Sequence, residues 1–296
     1  MTFRTDLAME VKESIKGDID GVISSDLQIG EVKITRIKVV NEQGEQTLGK
    51  PMGDYVTVEV PSFTDNTGEL DERLEVISTE IGQLLPKEGD ILVCGLGNTD
   101  ITPDALGPKA ADKILATRHI SGELARSIGL EGLRSVCVLS PGVLGQTGIE
   151  TGEIILSLVQ KIKPAAVIVI DALASRKLSR LGCTVQISNC GISPGSGVQN
   201  KRMEISQKTL GIPVVAVGVP TVVDCATLAA DLAEESGVPE SSTLREKVEP
   251  RGAEMMVTPK EIDLLVERAA KLIALSINCA IQPSLSREDI IELAAS

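Results

Sequence analysis

A three-layer α/β fold is what this sequence predicts: a mostly parallel sheet with helices on both faces, plus a small N-terminal antiparallel subsheet. Two observations carry the prediction. From residue 91 onward, short continuous apolar runs alternate with amphipathic stretches, the order expected of buried parallel strands joined by crossover helices. Before residue 65, strand-like segments are instead separated by turn signals, as in a hairpin. At 296 residues with 42% apolar content, the chain is long enough to bury a large core.

In chain order, EVKITRIKVV (31–40) and DYVTVEVPSF (54–63) read as strands, with the turn-rich NEQGEQTLGKPMGD between them. ELDERLEVISTEIGQLL (69–85) has helical spacing and stops before Pro86. The alternating part then runs ILVCGLG, PKAADKILATRHI, SVCVLS, IETGEIILSLVQKI, AAVIVIDAL, TVQIS, VVAVGVPTV and CATLAADLAEE. Residues 237–257 lack a period and read as a loop insertion. Thr258 and Glu261 have capping-box spacing ahead of a long helix, and Ser286 caps a last short one. The core thus spans about 90–235, the hairpin about 30–65 and the C-terminal helices about 258–296.

Composition removes several function classes. A net charge of −13 opposes a phosphate backbone, and only Phe3, Tyr55 and Phe63 offer rings for bases to stack on, which weighs against direct nucleic-acid binding. No apolar run reaches 18 residues and the N-terminus lacks a leader pattern, so a soluble, intracellular protein with no membrane partner is expected. Six cysteines without a C-x-x-C pair read as buried free thiols. The single histidine, His119, restricts chemistry most. Ser-His, Cys-His and multi-histidine zinc sites all draw on imidazole, so hydrolysis here would rest on carboxylates.

The densest chemical signal is CGLGNTDITPDALGPKAADKI (94–114): a strand, a glycine turn, a loop with Asp100 and Asp104, then a helix beginning near Pro108. In an open α/β sheet this is where ligand crevices form. A dinucleotide fingerprint fails because Asp100 replaces the third glycine, and CGISPGSGVQNKR (190–202) lacks a P-loop ending. The second acidic signal is AAVIVIDALASRK, where an apolar strand ends in Asp171. Neighbouring strand ends would let Asp104 and Asp171 converge, and repulsion would leave one protonated and one ionised, the split that peptide hydrolysis needs. Each acid also has an ordinary reading. Asp100 or Asp104 would cap the next helix, Asp171 would pair with Arg176 or Lys109, Asp224 would cap a helix, and His119 would close one.

RTDLAMEV, CGLGNTDITPDALGP, SPGVLGQTGIET, VIDALASR, ISPGSGVQNKR and GVPTVVD together resemble the spore germination protease family of endospore formers, over nearly the whole chain. The resemblance implies a fold similar to hydrogenase maturation proteases, Asp104 and Asp171 as the catalytic pair of an atypical aspartic protease, and Asp100 as a supporting loop residue. It further implies a homotetramer in the forespore and spore core, without a cofactor. The substrates would be the small acid-soluble proteins that coat spore DNA, cut within a Glu-(Ile/Phe)-Ala-Ser-Glu-Phe-like stretch. Asp6-Leu7-Ala8-Met9-Glu10-Val11 imitates that stretch, implying a zymogen that cuts itself between Asp6 and Leu7, with 1–6 as propeptide and 7–296 as a single peptidase domain. Two alternatives stand beside this reading: a metal-dependent maturation-type protease using Asp104, Asp171 and His119, and a non-catalytic α/β binding module.

Overall fold

The computed structural model describes residues 5–15, 17–64, 72–120, 126–127, 132–194, 202–236 and 255–295. One sheet organises them. Its strands are β1 (Val22–Ile29), β2 (Val32–Val39), β3 (Gly53–Glu59), β4 (Ile91–Gly95), β5 (Val136–Leu139), β6 (Ala166–Ser175), β7 (Thr184–Ser188), β8 (Val214–Asp224) and the two-residue β9 (Met256–Val257). The order across the sheet is β1-β2-β3-β7-β8-β6-β4-β5, with β9 beside β8. β5, β4, β6 and β8 run parallel, as their continuous Val/Ile/Leu sequences predict for strands covered on both faces. The antiparallel part joins the same sheet through β7, which pairs with β3 on one side and β8 on the other.

Helices cover both faces. On one face, α3 (Glu72–Leu84), α4 (Leu106–Ala111), α7 (Ile262–Ile281) and α8 (Arg287–Ala295) enclose the largest core, which includes Ile77, Leu106, Ile168, Val217 and Ile273. On the other face, α5 (Thr151–Ile162) packs Ile155 and Val159 on Val167, Val169 and Ala216. Further along that face, α1 (Ala8–Ser14) and α2 (Glu42–Leu48) bury Ala8, Met9 and Leu48 on Ile37, Val39 and Tyr55. Between these two smaller cores the sheet face is left open to a cleft.

Several expectations are corrected. The turn-rich stretch between β2 and β3 holds α2, begun by Asn41 Oδ1 accepting from Gly44 N at 2.8 Å and ended by Gly49 in the left-handed region. β1 is not among the strands that the sequence pattern predicts. The helix expected to run from Pro108 to His119 ends at Ala111, and His119 sits exposed in a turn. Thr258 and Glu261 form no capping box: the Thr258 hydroxyl donates to Thr221 O at 3.0 Å, and α7 starts without a side-chain cap. Ser286 does cap α8, exchanging bonds with Asp289 in both directions. Of the expected insertion at 237–257, residues 237–254 lie outside the described residues, and Met256–Val257 pair with β8. Residues 195–201 of the second glycine loop and 69–71 of the first long helix also lie outside them.

Asp224 is a helix cap. Its Oδ1 accepts from Thr227 N at 2.9 Å at the start of α6 (Cys225–Glu235), so Asp224→Ala should lower stability by about 1–2 kcal/mol, read from the denaturant midpoint.

Candidate active site

The loop after β4 is shaped by two glycines. Gly97 has φ +120°, and a Cβ there would lie 1.9 Å from Asp104 O, so the chain folds back on itself only without a side chain. That fold-back lets Asn98 N donate to Asp104 Oδ2 at 2.8 Å. Residues 102–104 form one 3-10 turn, which the Thr221 hydroxyl ties to β8 by donating to Pro103 O at 2.8 Å. Gly107, in the first turn of α4, then packs directly on strand backbone, where a Cβ would lie 2.2 Å from Leu96 O and 2.4 Å from Ile170 O.

Asp171 does not end its strand, as expected, but lies in the middle of β6. The apparent end belongs to β4: its last pair is Gly95 with Ile170, so from Asp171 onward β6 continues beside β8 alone. The carboxylate therefore stands where one neighbour has stopped. Register places Asp171, Gly218, Gln186 and Thr57 in one row across β6, β8, β7 and β3, all on the cleft face. Gly218 keeps the row open between Asp171 and Gln186.

Asp104, Asp171 and Asp6 border one cleft of about 380 Å³. Burial pushes the Asp104 carboxyl above the usual carboxylate range, while the Asn98 N–H draws it partly back. Burial pushes Asp171 well above that range, and the charges of Asp104 and Asp6 push it further, against a hydrogen bond from Ala172 N. The two acids are thus driven apart. Asp171, the more deeply buried and the one facing two other carboxylates, is raised further than Asp104.

The third acid belongs to the N-terminal segment. Asp6 is strapped to β6, its N–H donating to Ala174 O at 2.9 Å and its Oδ2 accepting from Ala174 N at 2.8 Å. Leu7 and Ala8 are fully buried. Glu10 is buried and accepts from Arg176 N at 2.7 Å and Lys177 N at 2.9 Å. Lys50 and Gln186, which the sequence reading did not single out, both donate to the Asp6 carbonyl oxygen at 3.0 Å.

The ordinary readings of the pair do not hold. Asp104 caps no helix, Arg176 pairs with Asp231 and Glu234, and Lys109 pairs with Glu267. Asp100 is a loop support, its N–H donating to Asn98 Oδ1 at 3.0 Å and its Oδ2 accepting from Gln146 Nε2 at 3.3 Å. His119 does not join the aspartates. Thr117 and Arg118, just before it, bond to Val136 O at the start of β5, the opposite end of the parallel strands from the cleft. The ligand set Asp104, Asp171 and His119 is therefore not assembled, and among the described residues no group of three His, Cys, Asp or Glu side chains is placed to hold a metal. Cys94 is fully buried, whereas the other five cysteines are half-buried, and all six are free thiols. No helix among the described residues is long and apolar enough to cross a membrane.

Comparison with known proteins shows the family to which the chain belongs. The family model described as germination protease matches residues 4–235. The germination protease of Clostridium perfringens strain ATCC 13124 is 45% identical, over 97% of each chain. That of Clostridium tetani is 45% identical over 98% of each, and that of Priestia megaterium 36% identical over 97% of this chain and 95% of its own. A solved NiFe hydrogenase maturation protease, HycI from Thermococcus kodakarensis, aligns over 67% of this chain and 98% of its own, with a TM-score of 0.37 and 18% identity. With a family model over most of the chain and relatives matching end to end, the chain belongs to the germination protease family, a family of peptidases.

Proposed function

We propose that this chain is an aspartic-type endopeptidase that starts the breakdown of small acid-soluble spore proteins during germination. It is made as a zymogen with propeptide 1–6 and cuts itself between Asp6 and Leu7. The observation that supports this most is that two carboxyls, raised to different extents, border one cleft with Asp6, the residue before the bond to be cut. Asp104, ionised, takes a proton from a water as its oxygen adds to the carbonyl carbon. Asp171, protonated, supplies the proton that lets the amine leave. The forespore and spore core would be the setting and a homotetramer the assembly, as the resemblance implies.

The test is direct. Full-length chain incubated at mildly acidic pH should lose residues 1–6 by mass, and should cut a peptide containing Glu-Ile-Ala-Ser-Glu-Phe after its first Glu. A chain that does neither is a binding module and not a protease.

The same assignment sets a pH profile. Activity should fall on the acid side as Asp104 gains a proton and on the alkaline side as Asp171 loses one. Because both carboxyls are raised, both limbs should lie above about pH 4, the range of a free aspartate. Rates of self-cleavage across pH check this. An acid limb at or below that range would leave Asp104 without the role of base.

A further inference from the structure

The Asp6 carbonyl is held more firmly than docking of a short segment requires. Its oxygen accepts from Lys50 Nζ and from Gln186 Nε2, each at 3.0 Å. Gln186 also accepts from Ala8 N through its Oε1 at 2.8 Å, so one side-chain amide grips the chain on both sides of the peptide bond between residues 6 and 7. Asp6 borders both the cleft of the two aspartates and an adjoining cavity of about 290 Å³ that Lys50 and Gln186 line.

We propose that Lys50 and Gln186 are the oxyanion-stabilising residues of this enzyme. They are aimed at the oxygen that becomes negative when water adds to the scissile carbonyl. The inference rests on the self-cleavage reading above. In the step, the water oxygen bonds to the Asp6 carbonyl carbon and the water's proton goes to Asp104. The carbonyl π pair moves onto oxygen, between Lys50 and Gln186. The C–N bond then breaks as the pair returns, and Leu7 N leaves with the proton from Asp171. Lys50 and Gln186 transfer no proton; they only donate hydrogen bonds that strengthen as charge develops.

Electrostatics supports the geometry. Burying a lysine ammonium is unfavourable unless a partner compensates. Burial lowers the Lys50 pKa, while Asp6, Glu10 and Cys190 raise it. Tyr55 and Glu204 line the same cavity. In the resting chain Lys50 finds carbonyl oxygens of Thr5 and Asp6, so its charge is best used once one of them becomes an alkoxide.

The experiment compares full-length wild type with Lys50→Met, Lys50→Arg, Gln186→Leu and Asp171→Asn. Single-turnover self-cleavage is followed by intact mass, and hydrogen exchange of the α1 amides is measured before cleavage. Lys50→Met should slow cleavage by about a hundredfold or more, the size of losing one oxyanion donor, and Lys50→Arg should recover at least about tenfold of it. Gln186→Leu should fall less, having lost a neutral donor. Protection of α1 should match wild type in Lys50→Met. The inference fails if Lys50→Met cleaves within about threefold of wild type while Asp171→Asn is dead. It also fails if the slow cleavage comes with loss of α1 protection, which would make Lys50 a strut for the segment. Wild-type cleavage by Asp171→Asn would remove the two-carboxylate reading, and this inference with it.

Discussion

Asp171→Asn should abolish cleavage and at the same time make the protein more stable at neutral pH. The activity should fall by about a thousandfold or more, because the amide cannot supply the proton that the departing amine needs. The stability gain follows from linkage. The folded-state pKa of Asp171 is raised above its unfolded value, so the folded chain holds a proton that the unfolded chain releases. The stability tied to that proton is fully present below the ordinary carboxylate range and is lost as pH rises through the raised pKa. Asparagine is neutral throughout and keeps an oxygen to accept from Ala172 N, which now bonds to Asp171 Oδ1 at 2.9 Å. The melting temperature of the variant should therefore exceed wild type at pH 7, with the gain shrinking toward pH 4. A variant that is inactive but less stable than wild type at pH 7 would mean that the carboxylate is held by favourable bonds and not by strain.

That trade-off explains why the pair was readable in the sequence while its surroundings were not. Continuous apolar runs such as ILVCG and AVIVI announce strands covered on both faces, and an acid at the edge of such a run stands out against burial. The sequence misplaces the strand end because ALAS, with little β-branched character, extends β6 past the point where its neighbour β4 stops at Gly95. Where a neighbour stops is a tertiary fact. β1 was missed for a different reason: VISSDLQI is exposed on both faces beyond its first residue, so it shows no alternation and is held by pairing with β2. Lys50 lies in a glycine- and proline-rich stretch indistinguishable from a surface turn, and Gln186 shares its face of a short strand with the small polar residues Thr184 and Ser188. Neither side chain has meaning until the N-terminal segment folds over β7 and β8.

Gly107→Ala should be among the most damaging small changes outside the acids themselves. Any Cβ at that position would lie 2.2 Å from Leu96 O, 2.4 Å from Ile170 O and 2.5 Å from Leu96 N, all backbone atoms at the junction of β4 and β6. Backbone in two paired strands cannot step aside as the tip of a side chain can. Leu96 N donates to Ile170 O at 2.8 Å, so the strands there are already fixed to each other. The strain is relieved only if α4 moves outward, taking Ala105 and Leu106 out of the core beneath them. A cost of about 3 kcal/mol or more is expected, visible as a fall in denaturant midpoint. Because Asp104 lies two residues before α4, the same shift carries the base away from Asp171, and a displacement of about 1 Å is enough to cost on the order of a hundredfold in rate. Gly145 gives the matched control: open space surrounds the position of its missing Cβ, so Gly145→Ala should leave both stability and self-cleavage near wild type. If Gly107→Ala retained wild-type stability and rate, the close seating of α4 on β4 and β6 would not be what sets the distance between the two carboxyls.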